Sequence, residues 1–203
     1  MSDRWVPLDV EDVDANPFTQ FQRWFDDAQG VMVEREAVAL ATATSDGVPS
    51  VRMVLLRHHD GRSFGWYTNY ESRKGGQLDG NPRAALLWYC EPLGRQIRIE
   101  GGVEKMTSAE SDAYFATRAR GSQLGAHASF QSQPLESRAA LEARVEALGV
   151  QFEGREVPRP ENWGGYRLTP GRFEFWQHRD DRLHDRVLYR QDESSWHRER
   201  LSP

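Results

Sequence analysis

Hydrophobic and polar positions follow two periodicities along the chain, and the first is that of a helix. Aromatic residues recur at helical spacing after Pro17 until Gly30 closes the segment. Further on, Thr107-Ser108-Ala109-Glu110 has the capping-box pattern that opens a helix, here running through Arg118. The pattern predicts helices over residues 17–30, 71–79, 107–118 and 135–148.

The second periodicity is that of short strands, bounded by Gly, Pro, Asn and Asp. Ala37–Ala43 and Val51–Leu56 flank the turn Ser45-Asp46-Gly47-Val48-Pro49, which predicts a β-hairpin. A helical insert then separates the early strands from alternating segments nearer the C-terminus. Strands are predicted over residues 37–43, 51–56, 64–68, 84–89, 96–103, 166–168, 172–176, 183–189 and 196–201.

The order of these elements predicts the fold class. Hairpins, then helices, then paired strands do not give the strand–helix alternation of a doubly wound parallel sheet. A mostly β (α+β) fold follows, an antiparallel barrel with peripheral helices. We predict a single domain over residues 16–203, preceded by a loose arm over residues 1–15, which are acidic and lack periodicity.

Composition and charge narrow the class of protein. Cys90 is the only cysteine, and the 6 histidines show no ligand spacing, so neither disulfides nor a bound metal is expected. The net charge of −5 argues against nucleic acid as a partner. No apolar run approaches the roughly 20 residues that span a bilayer, and the N-terminus lacks a hydrophobic signal region. A soluble cytoplasmic protein is expected.

The basic residues are almost all arginines. Lys74 and Lys105 are the only lysines among 26 basic residues. Any anion site must therefore be built mostly from guanidinium groups, which suit bidentate phosphate contacts.

Two segments could bind phosphate. In the first, Tyr67-Thr68-Asn69 ends a strand and Ser72-Arg73-Lys74 begins a helix, whose free N–H groups and cations attract anions. In the second, a shared helix face carries Tyr114 and Arg118, with Ser122 one turn further on. The alternative interpretation is ordinary in both cases: a capped surface helix for the first and a surface side-chain pair for the second.

Two further segments carry clustered cations. If Arg182-Leu183-His184-Asp185-Arg186 is extended, Arg182, His184 and Arg186 share one face and could meet an electron-rich ligand; the alternative is a solvated strand face. The strand from Arg52 to Arg57 has a cation at each end, which strict alternation would aim at opposite faces. A bulge, a strand end or a second subunit would be needed to bring both to one ligand.

Taken together and in this order, the segments resemble the pyridoxamine 5′-phosphate oxidase family. The resemblance runs from Asn16 to the C-terminus. The stretches that carry it are Asn16-Pro17-Phe18, the helix around Phe21–Trp24, Arg52-Met53-Val54-Leu55-Leu56, Tyr67-Thr68-Asn69, Ser72-Arg73-Lys74, Arg95-Gln96, Ser122-Gln123-Leu124-Gly125, Gln131-Ser132, Trp163-Gly164-Gly165, Phe173-Glu174-Phe175-Trp176, Arg182-Leu183-His184-Asp185-Arg186 and Arg200-Leu201-Ser202-Pro203.

The resemblance implies a split β-barrel homodimer with FMN at the subunit interface. The reaction it implies is the oxidation of pyridoxamine 5′-phosphate and pyridoxine 5′-phosphate to pyridoxal 5′-phosphate, with O2 reduced to H2O2. The positions that match the family's FMN-binding residues are Arg52, Met53, Val54, Leu55, Leu56, Arg57, Tyr67, Thr68, Arg73, Lys74, Gln96, Gln131, Ser132, Trp176 and Arg186.

The same resemblance implies a substrate site. The vitamin phosphate would be held by Arg57, Tyr114, Arg118 and Ser122. Arg182, Leu183 and His184 would lie against the substrate, with Arg182 and His184 in catalytic roles at the pyridine ring. The alternatives are a related flavin oxidase acting on another substrate, such as a phenazine precursor, and a non-catalytic flavin- or pyridoxal-phosphate-binding protein.

Two positions depart from the family's pattern. Arg57 stands where the family usually has lysine, and a guanidinium differs from an ammonium in shape and reach. The N-terminal arm also lacks the Arg-rich, Tyr-containing segment of the family, which only Arg4 and Trp5 resemble.

Overall fold

The structure is a computed structural model that describes residues 5–193 and 195–203. Arg4 and the rest of residues 1–4 lie outside the described residues. The helices are α1 (Pro17–Asp27), α2 (Arg73–Gly80), α3 (Ser108–Ala116), α4 (Arg120–Ala128) and α5 (Arg138–Gln151). The strands are β1 (Ala37–Ala43), β2 (Pro49–Leu55), β3 (His58–His59), β4 (Phe64–Asn69), β5 (Arg83–Cys90), β6 (Arg95–Lys105), β7 (Trp163–Gln177), β8 (Asp185–Asp192) and β9 (Ser195–Arg200).

These strands form one antiparallel sheet in the order β2-β1-β5-β6-β7-β4-β3, with β8 paired to β7 and β9 to β8. The first part of β7 pairs with β4 and its last part with β8, while β6 accompanies nearly all of β7 on its other side. The sheet therefore splits along β7 and curls into a half-open barrel. The prediction of an antiparallel split β-barrel with peripheral helices is confirmed.

Strand β7 is continuous where the sequence predicts two strands. The turn-like Pro170 and Gly171 lie in its middle, where the pairing with β6 shifts register between Glu100 and Gly101. A Cβ on Gly101 would lie only 2.0 Å from the carbonyl oxygen of Thr169, so glycine is needed for this close approach. The bulge accommodates the irregularity, and the strand continues.

Helix α1 packs its aromatic face onto the barrel. The Asn16 side chain caps it by accepting a hydrogen bond from the Phe18 N–H at 2.9 Å. The Phe21 ring meets Phe64 edge-on at 4.8 Å, and the Trp24 ring meets Phe175 edge-on at 5.3 Å. Full burial of one such side chain contributes about 1.5–3 kcal/mol, so α1 is an integral part of the core.

A second, smaller core joins the helical insert to the barrel. Phe115 of α3, Leu124 of α4 and Trp163 of β7 pack together there. Helix α4 was not predicted, because Ala119 gives it no side-chain cap and Gly121 and Gly125 lower its helix propensity. Its buried Leu124 stabilises the helix through tertiary packing, and this packing positions the residues described below.

The prediction of a loose arm is wrong for residues 5–15. These residues form no helix or strand, as the missing periodicity indicates, yet Leu8 and Val13 are buried. The Leu8 N–H donates to Asp185 Oδ2 at 3.0 Å, and the Tyr189 hydroxyl donates to the Asp14 carbonyl oxygen at 2.7 Å. The described part of the arm is therefore held to β8 at Leu8 and at Asp14.

Three further properties bear on the class of protein. No helix among the described residues is both long and apolar enough to cross a membrane. The same residues contain no group of three or more His, Cys, Asp or Glu side chains placed to hold a metal ion. Cys90 is a free thiol, buried in the core.

Candidate active site

A cavity of about 730 Å³ lies between β2, the end of β4 and helices α3 and α4. It brings together the β2 residues and the start of α2, both predicted to hold FMN, with the α3–α4 residues predicted to hold the vitamin phosphate. The lining residues are Arg52, Met53, Val54, Leu55, Arg57, Tyr67, Thr68, Asn69, Lys74, Tyr114, Arg118, Ala119, Ser122, Gly125, Ala126, Ser129, Gln131 and Trp163.

Lys74 supplies a buried positive charge to this cavity and is only 7% exposed. Its ammonium donates to Thr68 Oγ1 at 2.8 Å, Ser72 Oγ at 3.1 Å and Gln131 Oε1 at 2.8 Å, all of them neutral acceptors. Burial, and after it the nearby Arg52, lower the pKa of Lys74 to about 8. No carboxylate compensates this charge within the described chain, so the position favours an anion such as phosphate.

Arg52 and Arg57 reach the same cavity despite strand alternation. Arg52 Nη1 donates to the Leu40 carbonyl oxygen at 2.9 Å and to Thr42 Oγ1 at 2.7 Å, which holds the guanidinium against β1. Strand β2 ends at Leu55, so Arg57 lies beyond the alternating stretch. Of the three explanations left open by the sequence, a strand end is the one observed.

Aromatic rings build the opposite wall. The Tyr67 and Tyr114 rings stack at 3.8 Å, and Tyr67 also stacks on Trp163 at 5.5 Å. The Arg118 guanidinium lies 4.6 Å from the centre of the Trp163 ring, a cation–π contact. Burial lowers the pKa of Arg118, and its Nη1 is buried without a hydrogen-bond partner. A buried donor without a partner is costly, and a bound anion would satisfy it.

A second group of predicted residues lies elsewhere, on the outer face of the sheet. Gln96, Trp176 and Arg186 stand directly opposite one another across β6, β7 and β8. Their neighbours in sequence, such as Phe175 and Val187, point inward and fill the barrel core. The row therefore faces away from the interior.

A buried carboxylate orients Arg186 in this row. Glu174 is 2% exposed, and its Oε1 accepts a hydrogen bond from Arg186 Nε at 2.8 Å and lies 2.8 Å from Arg186 Nη2 in the same ion pair. The other oxygen, Oε2, lies 3.6 Å from Arg98 Nη2 and accepts no hydrogen bond. Arg186 Nη1 donates to the Ser202 carbonyl oxygen at 2.8 Å. The guanidinium is thus fixed by the chain itself.

The segment around Arg182 is a turn, which corrects the extended geometry that the sequence favours. Asp181 and Arg182 have positive φ angles of 55° and 61°, and β8 begins only at Asp185. The Arg179 N–H donates to His184 Nδ1 at 3.1 Å and closes the turn. Arg182 and His184 therefore do not follow strand alternation with Arg186.

The cavity of one chain does not contain the whole predicted site. Leu56 is buried in the core, and Arg73 is exposed at the start of α2, near enough to lower the pKa of Arg52. Ser132 lines a neighbouring pocket of about 440 Å³. The predicted residues that do not line the cavity are Leu56, Arg73, Gln96, Ser132, Trp176, Arg182, Leu183, His184 and Arg186. Trp163 lines it without having been predicted; only its Trp-Gly-Gly context could have indicated it.

Replacement of Glu174 by glutamine should lower the free energy of unfolding. The substitution keeps the shape of the side chain but removes the charge that compensates Arg186. Breaking a buried ion pair costs roughly 3–5 kcal/mol. Arg186 keeps 26% of its side chain exposed, so we expect about 2–3 kcal/mol after screening by solvent, measured by urea denaturation.

Glu199→Gln provides the matched control. Glu199 pairs with Arg190 at 2.9 Å on the neighbouring strands, but both side chains are more than half exposed. The same chemical change should cost less than about 1 kcal/mol there. Equal losses for the two variants would contradict a special role for Glu174.

Comparison with models of known protein families shows to which family the chain belongs. A model described as "Pyridoxamine 5'-phosphate oxidase" matches residues 26–152. A second, described as "Pyridoxine 5'-phosphate oxidase C-terminal dimerisation region", matches residues 163–203. The chain belongs to the pyridoxamine 5′-phosphate oxidase family.

Similar proteins from individual organisms support the same family assignment. The chain is 54% identical over 197 residues to the pyridoxine/pyridoxamine 5′-phosphate oxidase of Rubrobacter xylanophilus, covering 97% of this chain and 91% of that one. It is 52% identical over 194 residues to the oxidase of the same name from Nostoc punctiforme, covering 95% and 91%.

Two solved structures share the fold. PhzG from Burkholderia lata, solved in complex with tetrahydrophenazine-1-carboxylic acid, matches with a TM-score of 0.91 and 35% identity, over 98% of this chain and 100% of that one. A pyridoxamine 5′-phosphate oxidase-related, FMN-binding protein from Nostoc punctiforme matches with a TM-score of 0.73 and 18% identity, over 92% and 97%. The second likeness concerns the fold alone.

Proposed function

We propose that this chain is an FMN-dependent pyridoxine/pyridoxamine 5′-phosphate oxidase, which forms pyridoxal 5′-phosphate and reduces O2 to H2O2. The observation that carries the proposal is a single cavity with two uncompensated cationic groups, Lys74 and Arg118, on separate elements. The reaction brings together two phosphate-bearing molecules, the cofactor and the vitamin. Identity of 52–54% to oxidases of this name supports it.

The FMN phosphate would be held at the start of α2. Lys74 supplies the buried charge, while Arg52 and Arg73 add guanidinium groups beside it. The β2 residues from Met53 to Leu55 line the same cavity and would contact the remainder of the cofactor. When bound, FMN supplies the redox chemistry, the net transfer of two hydrogens from the substrate to O2.

The substrate phosphate would be held by α3 and α4. Arg118, Tyr114 and Ser122 all line the cavity, Arg118 has a buried donor without a partner, and the exposed Arg57 adds a second guanidinium. Charge-assisted hydrogen bonds of this kind orient as well as bind. They would place the carbon to be oxidised at a fixed distance from the phosphate anchor.

We infer that a second copy of the chain completes each site. Trp176, Arg182, His184 and Arg186 do not line the cavity, and all four fall in the segment matched by the C-terminal dimerisation region. His184 accepts a hydrogen bond at Nδ1, so the neutral ring carries its proton on Nε2 and can donate it to a ring substituent. Arg182 would lie against the pyridine ring and hold it in the orientation needed for oxidation. No residue is assigned as a general base.

Mixing two impaired variants tests the shared site. In a hybrid of an Arg118→Ala chain and an Arg182→Ala chain, one of the two sites combines an intact cavity with an intact turn. Random reassociation makes half of the dimers hybrid, so about a quarter of the wild-type activity should return. Peroxide release, assayed below the wild-type KM, measures it.

Each variant dissociated and reassociated alone is the control and, at the same substrate concentration, should show no more than about a tenth of the wild-type activity. Recovery no greater than the sum of the two controls would place cavity and turn in the same chain. Light scattering on each sample establishes that dimers have formed again.

The activity itself is tested by adding FMN to the purified protein and following peroxide and aldehyde with each phosphorylated vitamer. A related flavin oxidase acting on a phenazine precursor is the second candidate, favoured by the structural match to PhzG. A precursor without phosphate would not need Arg118 and Ser122. Turnover of such a precursor, with none of either vitamer, would favour the second candidate.

We also propose that the protein works in the cytoplasm. Cys90 is unpaired and buried. This is ordinary in a reducing compartment, where disulfides are rare.

A further inference from the structure

Four aromatic rings form a cluster on the outer face of the barrel, where β7 ends. The His178 ring lies 5.1 Å from Trp5 of the N-terminal arm and 5.1 Å from His184. Trp176 completes the cluster, 4.5 Å from His184 and 5.9 Å from His178. His178 thus stands between the arm and a residue of the proposed active site, although nothing above gives it a role.

His184 closes the turn that carries Arg182. Two hydrogen bonds span this turn: the Arg179 N–H donates to His184 Nδ1, and the Leu183 N–H donates to the Asp180 carbonyl oxygen, each at 3.1 Å. Arg182 has a positive φ, which a residue with a side chain adopts only when its surroundings hold it there. The orientation of the His184 ring therefore decides whether this turn stays closed.

His178 is itself fixed from several sides. The backbone N–H of His178 donates to the Gly94 carbonyl oxygen at 2.8 Å. A Cβ on Gly94 would lie 2.8 Å from the His178 Cβ and 2.9 Å from the Trp5 ring, so this glycine lets both pack against its turn. A few residues beyond Trp5, the Leu8 N–H is bonded to Asp185, the residue after His184. The arm therefore crosses the turn and is anchored on both sides of it.

We propose that His178, clamped between the Gly94 turn and Trp5, is a positioning residue that holds the His184 ring in the orientation closing the Arg179–His184 turn. It thereby fixes where Arg182 stands. The proposal rests on the proposed function, since Arg182 matters only if it contacts a substrate.

The charges around His184 decide in which protonation state this contact exists. Burial is the main cause that lowers the pKa of His184. The nearby His178 and Arg182 lower it further, while Asp185 raises it. Asp185 is in turn paired with Arg200 at 3.1 Å and lies 3.7 Å from Arg179. A neutral ring accepts at Nδ1 and a protonated ring cannot. The turn is therefore closed above the pKa of His184 and loses this hydrogen bond below it.

Two variants at one position separate ring packing from charge. His178→Ala removes the ring that packs on His184, exposes it to water and should raise its pKa. His178→Phe keeps a ring of similar size and is the matched control. Both are compared with the wild type, each purified protein with FMN added. Nitrogen–proton NMR correlations of His184 report its tautomer and pKa, and the pH profile of kcat reports its effect on turnover.

For His178→Ala we expect the titration midpoint of His184 and the acid limb of the pH profile of kcat to move up together by about 0.5–1 pH unit. The kcat on the acid side should fall about three- to tenfold, with little change at high pH, and His178→Phe should retain most of the wild-type behaviour. An unchanged midpoint and tautomer in His178→Ala would overturn the proposal, as would a moved midpoint with an unmoved pH profile in an active enzyme. A moved midpoint in a protein inactive on both vitamers would instead overturn the proposed function and leave the positioning of His184 standing.

Discussion

Replacement of Arg118 by alanine is expected to raise KM for the phosphorylated substrate about ten- to a hundredfold while kcat changes little. The phosphate is not altered during oxidation, so its contact is worth the same in the ground state and the transition state. Losing a charge-assisted hydrogen bond costs about 1.5–3 kcal/mol, which corresponds to that factor. Steady-state kinetics with each phosphorylated vitamer measures it.

Arg120→Ala is the control for this substitution. Arg120 is two positions further on but donates to the carbonyl oxygens of Phe152 and Arg155, away from the cavity. It should leave KM close to the wild-type value. A fall in kcat with unchanged KM in Arg118→Ala would show that Arg118 acts on the transition state and not as a phosphate anchor.

Binding of FMN should weaken as pH rises above about 8. The pKa of Lys74 is lowered to about 8 in the chain without ligand, because its charge is buried and uncompensated. A phosphate would favour the charged form, so binding above pH 8 requires uptake of a proton. The dissociation constant should therefore rise about tenfold per pH unit until the pKa of the complex is reached. Flavin fluorescence titrations between pH 7 and pH 10 measure it.

The lowered pKa of Lys74 also makes the stability of the folded chain depend on pH. The pKa of Lys74 in the folded chain lies below its ordinary value of 10.5, so folding disfavours the charged form. The penalty is fully present below pH 8 and fades as the pH rises towards 10.5. FMN should therefore stabilise the protein most below pH 8.

Lys74→Arg is the matched variant for this prediction. A guanidinium stays charged throughout the range, so its FMN affinity should depend much less on pH between 8 and 10, whatever its value at pH 7. If wild type and Lys74→Arg showed the same pH dependence, the proton would be taken up elsewhere.

The sequence predicts those parts of the fold that local signals determine. The capping box at Thr107 opens α3, with the Thr107 hydroxyl accepting from the Glu110 N–H as the pattern requires. Strand β1 has the predicted bounds, since its apolar run ends at a turn. Helix α4 and the continuity of β7 could not be predicted, because packing of Leu124 and pairing across the Gly101 bulge stabilise them.

The candidate site divides in the same way. The resemblance indicates the residue types, and the cavity brings Lys74, Arg118 and Ser122 together. The sequence could not show that Arg118 stacks on Trp163, since the two are 45 positions apart and meet only in the folded chain. Nor could it show the turn at Arg182, because the positive φ there depends on a hydrogen bond that joins the backbone N–H of Arg179 to the side chain of His184.

The length of β7 has a consequence for how this chain can change over evolutionary time. Its first residue, Trp163, lines the cavity, and Trp176 near its end lies on the outer row. In the proposed dimer these two ends serve different active sites. A one-residue insertion or deletion between them would turn every following side chain to the opposite face. Such a change would disable both sites at once, so length variation among descendants should be confined to the loops and absent from this strand.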